Sequence, residues 1–215
     1  MKLMLTSAGI RNESLSEALR RLVGENLMRI AFIPTAANVE EGDKGWLIDD
    51  LVNCKKLGEV DIVDISALEK NVWLLRLKRA NVIFVGGGDT AYLMKCIRES
   101  GLSEEISDLL KTRVYVGISA GSIVLSKTLQ VSSECLFGLY GDEVDNPPRG
   151  LGLIDFHMRP HLNSEYFPKV VDENLRKVFA DFDEDVYALD DESAVVYDNG
   201  KIEIVSEGKW EKYPK

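Results

Sequence analysis

Strand-like and helix-like segments alternate along the N-terminal two thirds of the sequence, and this order constrains the fold more than any other feature. The short apolar runs that predict strands lie at residues 3–6, 30–33, 60–65, 81–85 and 114–116. Helical patterns lie at about residues 14–23, 46–56 and 103–111, and a further one is closed by Gly101. This alternation predicts an α/β fold, with a mostly parallel, doubly wound sheet and helices on both faces.

The last third of the sequence follows a different pattern. Residues 164–180 are predicted to be largely helical. Three further strands are predicted, at residues 186–189, 194–197 and 202–205. Asp198-Asn199-Gly200 is a hairpin turn signal, so a C-terminal antiparallel edge is expected. Because the chain has 215 residues, 45% of them hydrophobic, and no evident linker or repeat, one domain over residues 1–215 is predicted.

The sequence is acidic, with 36 Asp and Glu residues against 26 Lys and Arg residues. No basic stripe is present, so neither nucleic acid nor an anionic membrane is expected as a partner. No apolar stretch is long enough to span a bilayer, and the N-terminal apolar run is too short for a signal peptide, so a cytoplasmic protein is expected.

Cys54, Cys96 and Cys135 are widely spaced, which predicts neither a disulfide framework nor a zinc knuckle.

Residues 117–121, with the sequence Gly-Ile-Ser-Ala-Gly, place Ser119 between an apolar strand and a helix-compatible stretch. Glycines two positions on either side of the serine permit a sharp turn that exposes its hydroxyl and leaves the N–H of Ala120 free. This pattern is typical of a nucleophilic serine, and the N–H of Ala120 is a candidate donor to an oxyanion. The alternative is a strand-to-helix loop with an incidental serine.

The sequence contains two histidines, His157 and His161, and a serine nucleophile needs a base. His161 is the better candidate, because Pro160 before it restricts the backbone and suits a rigid loop after a strand. His157 is predicted to be structural. A metal site that uses both histidines is disfavoured, because Pro160 opposes the helix that their spacing needs.

Residues 86–90, Gly-Gly-Gly-Asp-Thr, form a second glycine-rich segment at the end of a predicted strand. The segment lacks the pattern of a nucleotide-binding loop, so no cofactor is predicted. In parallel sheets, ligands bind beyond the carboxyl ends of strands, so this segment and Ser119 are expected to converge. An N–H of Gly87 or Gly88 is then expected to complete an oxyanion hole, while Asp89 or Thr90 caps the following helix.

A carboxylate is needed to orient the imidazole, and the sequence offers several. Asp191 and Glu192 belong to an acidic run directly after the predicted strand at 186–189. Glu134 lies nearer to Ser119 in sequence, in a segment whose geometry the pattern does not define. The position at a strand end favours the run Asp190-Asp191-Glu192, and Glu134 remains the alternative.

Taken together, the segments at 85–90 and 117–122 and the run Arg159-Pro160-His161 resemble peptidase E, the alpha-aspartyl dipeptidase family. The sequence also resembles cyanophycinase, a more distant relative of that family. The resemblance spans most of the chain and implies a fold like the class I glutamine amidotransferases, with serine where those enzymes carry cysteine. It implies Ser119 as nucleophile, His161 as base, the N–H groups of the glycine loop and Ala120 as oxyanion hole, and either Asp191 or Glu134 as acid. The position of Asp191 after a predicted strand favours it, and Glu134 and Glu192 remain alternatives.

Two positions depart from the family pattern. The family is thought to hold the aspartyl carboxylate of its substrate with an arginine in the helix after the histidine, and a rough alignment puts Val171 there. Arg159 or Arg176 is a candidate replacement, and Arg159 is the predicted substrate-binding residue. The acid at position 191 is an aspartate where the family has a glutamate.

The sequence therefore predicts a cofactor-free serine hydrolase that cleaves short peptides, including dipeptides with N-terminal aspartate, through an acyl-enzyme. An amide or ester hydrolase that acts on a non-peptide substrate is the first alternative, because the same groups serve any acyl transfer. A catalytically silent module that binds a small anion or metabolite is the second. The sequence is compatible with either a monomer or a homodimer.

Overall fold

The computed structural model describes residues 1–24, 26–136 and 148–215. The strands are β1 (Lys2–Thr6), β2 (Arg29–Ile33), β3 (Glu59–Ile62), β4 (Val82–Val85), β5 (Val114–Ile118), β6 (His157–Arg159), β7 (Val186–Leu189), β8 (Ser193–Asp198), β9 (Lys201–Ser206) and β10 (Trp210–Tyr213). The helices are α1 (Glu13–Val23), α2 (Gly45–Leu57), α3 (Lys70–Arg79), α4 (Thr90–Glu99), α5 (Leu102–Leu109), α6 (Ala120–Ile123), α7 (Ser133–Leu136) and α8 (Asp172–Val178). A short 3-10 helix, Thr35–Val39, follows β2.

Seven strands form the main sheet, in the order β3-β2-β4-β5-β1-β8-β9. The strands from β1 to β5 pair in parallel, because a helical crossover returns the chain to the same end of the sheet each time. β8 is antiparallel to β1, and β9 is antiparallel to β8. The mostly parallel sheet and its C-terminal antiparallel edge are thus confirmed.

Side chains of β1 alternate between the two faces of the main sheet, as the pleat of a strand requires. Leu3 and Leu5 lie in one buried cluster, and Met4 lies in the other. Leu15 of α1 packs in the cluster that contains Met4, whereas Leu93 of α4 packs in the cluster that contains Leu3. Helices therefore cover both faces, which confirms the doubly wound arrangement.

A second sheet has three strands, in the order β10-β7-β6. β6 is parallel to β7, and β10 is antiparallel to β7. The strand predicted at 186–189 therefore belongs to this sheet and not to the antiparallel edge of the main sheet. β6 leads through Pro160 to His161, and β7 leads through Asp190 to Asp191. This small sheet thus brings a candidate base and a candidate acid to the ends of neighbouring strands.

The prediction of a largely helical segment at 164–180 is wrong in its first half. Only α8 is helical, and successive turns form the preceding segment. Pro168 accounts for the difference, because proline lacks an N–H and disfavours helical geometry in the residue before it. The helices α3 and α7, the 3-10 helix and the strand β10 were not predicted. β3 ends at Ile62, three residues before the end of the strand predicted at 60–65.

In the described part of the chain, no helix is both long and apolar enough to cross a bilayer. Cys54 and Cys96 are free cysteines buried in α2 and α4. Burial raises the pKa of the Cys54 thiol, and the nearby charge of Asp50 raises it further. Both side chains therefore serve as small apolar groups in the core.

Candidate active site

Ser119 lies at the sharp turn between β5 and α6, with φ 49 and ψ -108. Positive φ is strained for a residue with a side chain, and close packing on both sides maintains it. A Cβ atom at Gly121 would lie 2.0 Å from the carbonyl oxygen of Val85, and one at Gly117 would lie 2.7 Å from the backbone of Ser122. The two glycines are therefore required by the close approach of neighbouring backbone, as the motif predicts.

His161 follows β6 and also has a left-handed backbone, with φ 67. Its N–H donates a hydrogen bond of 2.6 Å to Oγ of Ser7. Its ring stacks on Phe167, with centroids 4.3 Å apart and planes inclined by 7°. Its Nε2 lies 3.0 Å from Oγ of Ser119. The loop after β6 thus holds the imidazole at hydrogen-bonding distance from the serine at the end of β5.

Asp191 completes a row of three side chains. Its Oδ1 lies 2.8 Å from Nδ1 of His161, and it also accepts a hydrogen bond of 3.0 Å from Oγ of Ser7. Burial raises the pKa of Asp191, but hydrogen bonds from His161 and Ser7 and the charges of His161 and Arg11 outweigh that effect. The net result is a pKa below the ordinary value, so the carboxyl group is ionised at neutral pH.

These contacts define which ring nitrogen of His161 carries the proton. An ionised carboxylate only accepts hydrogen bonds, so Nδ1 of a neutral His161 is the donor to Asp191. Nε2 then has a free lone pair facing the hydroxyl of Ser119 at 3.0 Å. The arrangement can move the hydroxyl proton to the imidazole, and the carboxylate can stabilise the resulting charge.

The other acids after β7 make different contacts. Glu192 Oε2 accepts a hydrogen bond of 3.0 Å from the side-chain amide of Asn12. Asp190 Oδ1 accepts one of 3.1 Å from the backbone N–H of Glu192 and thus stabilises the turn. Among the described acids of this run, Asp191 is the one that contacts His161.

The glycine loop after β4 lies beside the serine. A Cβ atom at Gly87 would lie 3.3 Å from Cβ of Ser119. Gly88 has φ 127, and a Cβ there would lie 2.3 Å from the carbonyl oxygen of Ala36. In the described part of the chain, the N–H groups of Gly87, Gly88 and Ala120 donate no hydrogen bond to another backbone group. The predicted convergence of the two glycine-rich segments is thus present.

Asp89 has the helix-capping role that the sequence predicts for Asp89 or Thr90. Its side chain accepts a hydrogen bond of 2.6 Å from the backbone N–H of Tyr92 and caps α4. Gly88 fixes the turn, and Asp89 begins the helix. The same segment can therefore cap α4 and present backbone N–H groups beside Ser119.

Arg159, the predicted substrate-binding residue, has a buried side chain, only 1% exposed. Its guanidinium donates hydrogen bonds to the carbonyl oxygen of Val131, at 2.8 Å, and to Oγ of Ser133, at 2.9 Å. These bonds tie β6 to the segment that begins α7. Glu134 belongs to α7, but its side chain lies outside the part of the protein that the structure describes.

The alternative arginine, Arg176, lies on the surface. It is in α8, where it pairs with Asp172 at 2.8 Å and with Glu211 at 3.8 Å, and its side chain is 61% exposed. Val171 directly precedes α8. Arg176 is thus engaged with two carboxylates of its own chain.

His157 has a separate environment from His161. It is buried at the start of β6, and its Nε2 lies 3.1 Å from Glu184 Oε2. Burial lowers the pKa of His157, and the charge of Glu184 opposes this shift. These contacts fit the structural role predicted for His157. Across the described residues, no group of three or more His, Cys, Asp or Glu side chains could hold a metal ion.

Ser7 was not predicted to be part of the site. It directly follows β1, is fully buried, and contacts both His161 and Asp191. Its contacts with residues more than 150 positions away depend on strand pairings that the sequence does not reveal.

Comparisons with known proteins identify the family to which the chain is similar. The profile of peptidase family S51 matches residues 3–205. The chain is 26% identical over 197 residues to a protein of Nostoc sp. named peptidase E, an alignment covering 87% of this chain and 76% of the relative. It is 34% identical over 89 residues to a Drosophila melanogaster protein named a probable alpha-aspartyl dipeptidase, covering 40% of this chain and 34% of the relative.

A solved structure from Listeria monocytogenes has a similar fold. The superposition has a TM-score of 0.78 and covers 96% of this chain and 98% of the other, at 21% sequence identity. At this identity, the likeness concerns the fold alone.

Proposed function

The chain belongs to peptidase family S51 and is a serine peptidase, and from that premise we propose that it hydrolyses short peptides with Ser119, His161 and Asp191 as a catalytic triad. The observation that carries this proposal is the continuous row of two contacts. Ser119 Oγ lies 3.0 Å from one ring nitrogen of His161, and Asp191 Oδ1 lies 2.8 Å from the other. These distances are within hydrogen-bonding range, as proton transfer requires.

In the proposed reaction, Ser119 Oγ attacks the carbonyl carbon of the scissile peptide bond while its proton moves to Nε2 of His161. The charge of Asp191 stabilises the imidazolium, and its hydrogen bond to Nδ1 fixes the ring. The carbonyl oxygen becomes an oxyanion, to which the N–H of Ala120 and an N–H of Gly87 or Gly88 donate hydrogen bonds.

The proton on Nε2 of His161 then passes to the departing amine, the peptide C–N bond breaks, and an ester remains on Ser119. A water molecule attacks this acyl-enzyme, with His161 as the base. The second tetrahedral intermediate releases the acid product and restores the hydroxyl of Ser119. The turn at Ser119 serves as a nucleophile elbow in this scheme, because it presents Oγ at the end of the sheet.

The proposed substrates are short peptides, with N-terminal aspartyl dipeptides as the first to test. Relatives named peptidase E and alpha-aspartyl dipeptidase support this choice. Val171 stands where the resemblance places a carboxylate-binding arginine. Arg159 is the proposed substitute, and to bind a substrate its buried guanidinium would have to release Val131 or Ser133. A library of dipeptides that differ in the N-terminal residue tests the preference: cleavage of other residues but not of aspartate would refute the aspartyl specificity alone.

Labelling with a fluorophosphonate probe tests the nucleophile without knowledge of the substrate. The parent protein is expected to be labelled at Ser119, and Ser119→Ala is expected to lose both labelling and peptide hydrolysis by more than about 10,000-fold. Ser126→Ala is a matched control, because it removes the hydroxyl of a nearby buried serine that donates to the carbonyl oxygen of Phe156 and does not contact His161. Hydrolysis by Ser119→Ala at the parent rate would refute the mechanism.

A further inference from the structure

Ser7 links the two candidate groups that must stay aligned for proton transfer. We infer that Ser7 is a positioning residue, whose hydroxyl holds the backbone of His161 and the carboxylate of Asp191 in one fixed arrangement. This inference rests on the proposed function. It assigns to β1 a part in the reaction, although Ser7 itself is not expected to contact the substrate.

The place of β1 in the sheet explains why its end reaches both partners. β1 is paired with β5, which leads to Ser119, and with β8, which begins two residues after Asp191. Ser7 follows Thr6, the last residue of β1, and its side chain is fully buried. The residue after this central strand thus lies between the end of the main sheet and the loops of the second sheet.

The first contact of Ser7 acts on the backbone of the base. The N–H of His161 donates to Ser7 Oγ over 2.6 Å, and His161 has φ 67. A left-handed backbone conformation costs conformational free energy in a residue that has a side chain, and it is kept only where surrounding contacts stabilise it. Loss of the acceptor would leave this N–H without its partner in a partly buried position and would remove one restraint on the loop.

The second contact acts on the acid. A serine hydroxyl has one proton and two lone pairs, so Ser7 can accept from His161 and donate once. The acceptors within reach are Asp191 Oδ1 at 3.0 Å and the carbonyl oxygen of Leu189 at 3.3 Å. The charged and nearer carboxylate is the stronger acceptor. Oδ1 of Asp191 thus receives hydrogen bonds from both Ser7 and Nδ1 of His161, which hold it in line with the ring.

This pair of contacts distinguishes Ser7 from other buried serines. Ser126 Oγ donates to the carbonyl oxygen of Phe156, at 3.0 Å, and Ser122 Oγ donates to that of Thr6, at 2.9 Å. Both bonds go to backbone carbonyl groups and involve none of the three side chains of the candidate triad. The bonds of Ser7 instead connect the backbone of one candidate catalytic residue to the side chain of another, so their loss should change reactivity as well as stability.

The test measures fluorophosphonate labelling of Ser119 in the full chain for Ser7→Ala, with Ser126→Ala as the matched control. The maximal labelling rate of Ser7→Ala is expected to fall roughly 10- to 100-fold, because a misplacement of about 1 Å costs up to about 100-fold. The probe concentration at half-maximal rate is expected to stay the same, since Ser7 lies behind His161 and Asp191. Ser126→Ala should retain the parent values for both quantities.

A spectroscopic measurement separates positioning from a general loss of stability. The Nδ1 proton of His161, hydrogen-bonded to Asp191, is observable by NMR in 15N-histidine-labelled protein. Its resonance is expected to broaden or move in Ser7→Ala and to stay in place in Ser126→Ala. A Ser7→Ala protein that is labelled within about twofold of the parent rate would overturn the inference.

Two further measurements keep the inference testable if Ser7→Ala does not fold. Ser7→Cys fills a similar volume with a much weaker hydrogen-bonding group, and the same loss of labelling is expected. In the parent protein, the backbone amide of His161 should exchange with solvent slowly, and rapid exchange would refute the bond to Ser7. An unlabelled parent would contradict the proposed function instead, and the amide exchange would still decide the role of Ser7.

Discussion

At the scale of single residues, Asp191 and Glu192 allow a comparison between neighbouring acids. Asp191 contacts Nδ1 of His161, whereas Glu192 contacts the side chain of Asn12. Asp191→Asn is expected to lower the rate of labelling at Ser119 by about 10,000-fold, because an amide in this place favours the wrong tautomer of the imidazole. Glu192→Gln removes the same charge and should change the rate less than about threefold.

Glu134→Gln extends this comparison to the remaining alternative. Far-UV circular dichroism and thermal unfolding show whether each of the three variants retains its fold. A larger loss of labelling in Glu134→Gln or Glu192→Gln than in Asp191→Asn would transfer the role of the acid to that residue. Equal small losses in all three would show that the base acts without a carboxylate partner.

The sequence identified those site residues that neighbouring residues mark out. Ser119 was predicted from the glycines around it, and His161 from the small number of histidines and from Pro160. Asp191 was favoured for its place after a strand, and in the structure it contacts His161. Ser7 and the stacking partner Phe167 gave no such signal, because their importance arises from contacts with distant segments. The catalytic roles themselves stay predictions until the variants are measured.

At the scale of elements, α2 buries a carboxyl group that affects stability. Asp50 is 5% exposed and lies against Gly9, in the loop after β1. Burial raises its pKa to about 7, an effect that the charge of Arg11 partly opposes and that of Asp49 supports. The carboxyl group is therefore neutral in the folded protein below this pH, whereas in the unfolded chain it ionises near its ordinary value of 3.8.

The sign of the pH dependence follows from this shift. Between about pH 4 and pH 7 the folded state binds more protons at Asp50 than the unfolded state, so the free energy of unfolding falls as the pH rises. Asp50→Asn removes this contribution and is expected to be more stable than the parent at pH 8, by up to about 4 kcal/mol. Urea unfolding at pH 5 and pH 8 measures the difference.

Asp49→Asn is the matched control, since Asp49 is the exposed neighbour of Asp50 in the same helix. This control keeps Asp50 and should show the pH dependence of the parent with only a small shift, because the charge of Asp49 contributes to the raised pKa of Asp50. A parallel pH dependence of Asp50→Asn and the parent would mean that Asp50 is charged in the folded state. Labelling of Ser119 can be followed in the same samples, because Asp50 packs against the loop that contains Ser7.

The spacing of apolar residues predicted the strands of the main sheet and most of the helices around it. It failed for segments whose secondary structure depends on tertiary contacts. The parallel strands were recognised because each is a short apolar run between helical patterns. The segment before α8 has helical periodicity in its apolar residues, but Pro168 breaks the helix. β10 is short and carries Lys212 and three other polar or amphipathic side chains, and its pairing with β7 stabilises it as a strand. The second sheet could not be derived from the pattern for that reason.

At the scale of the whole molecule, one buried cluster connects the two sheets. Leu3 and Val85 of the main sheet belong to the same apolar cluster as Val186 and Leu189 of the second sheet. Trp73 of α3 is part of this cluster and is fully buried. A shared core couples the stability of the two sheets, so we expect residues 1–215 to unfold as one domain.

Val186→Ala tests this expectation. The substitution removes two methyl groups from a fully buried side chain in β7 and should lower the free energy of unfolding by roughly 1–3 kcal/mol. In one domain, the urea midpoints measured by circular dichroism, by tryptophan fluorescence and by loss of Ser119 labelling should all fall together. Val52→Ala, at a position 48% exposed on α2, is the matched control and should leave every midpoint nearly unchanged. Trp210 lies in β10 of the second sheet, so the comparison that separates the two sheets uses circular dichroism, to which the seven-stranded sheet and its helices contribute most. Loss of labelling at a lower urea concentration than the circular dichroism change would instead show that the second sheet, which positions His161 and Asp191, unfolds separately from the main sheet.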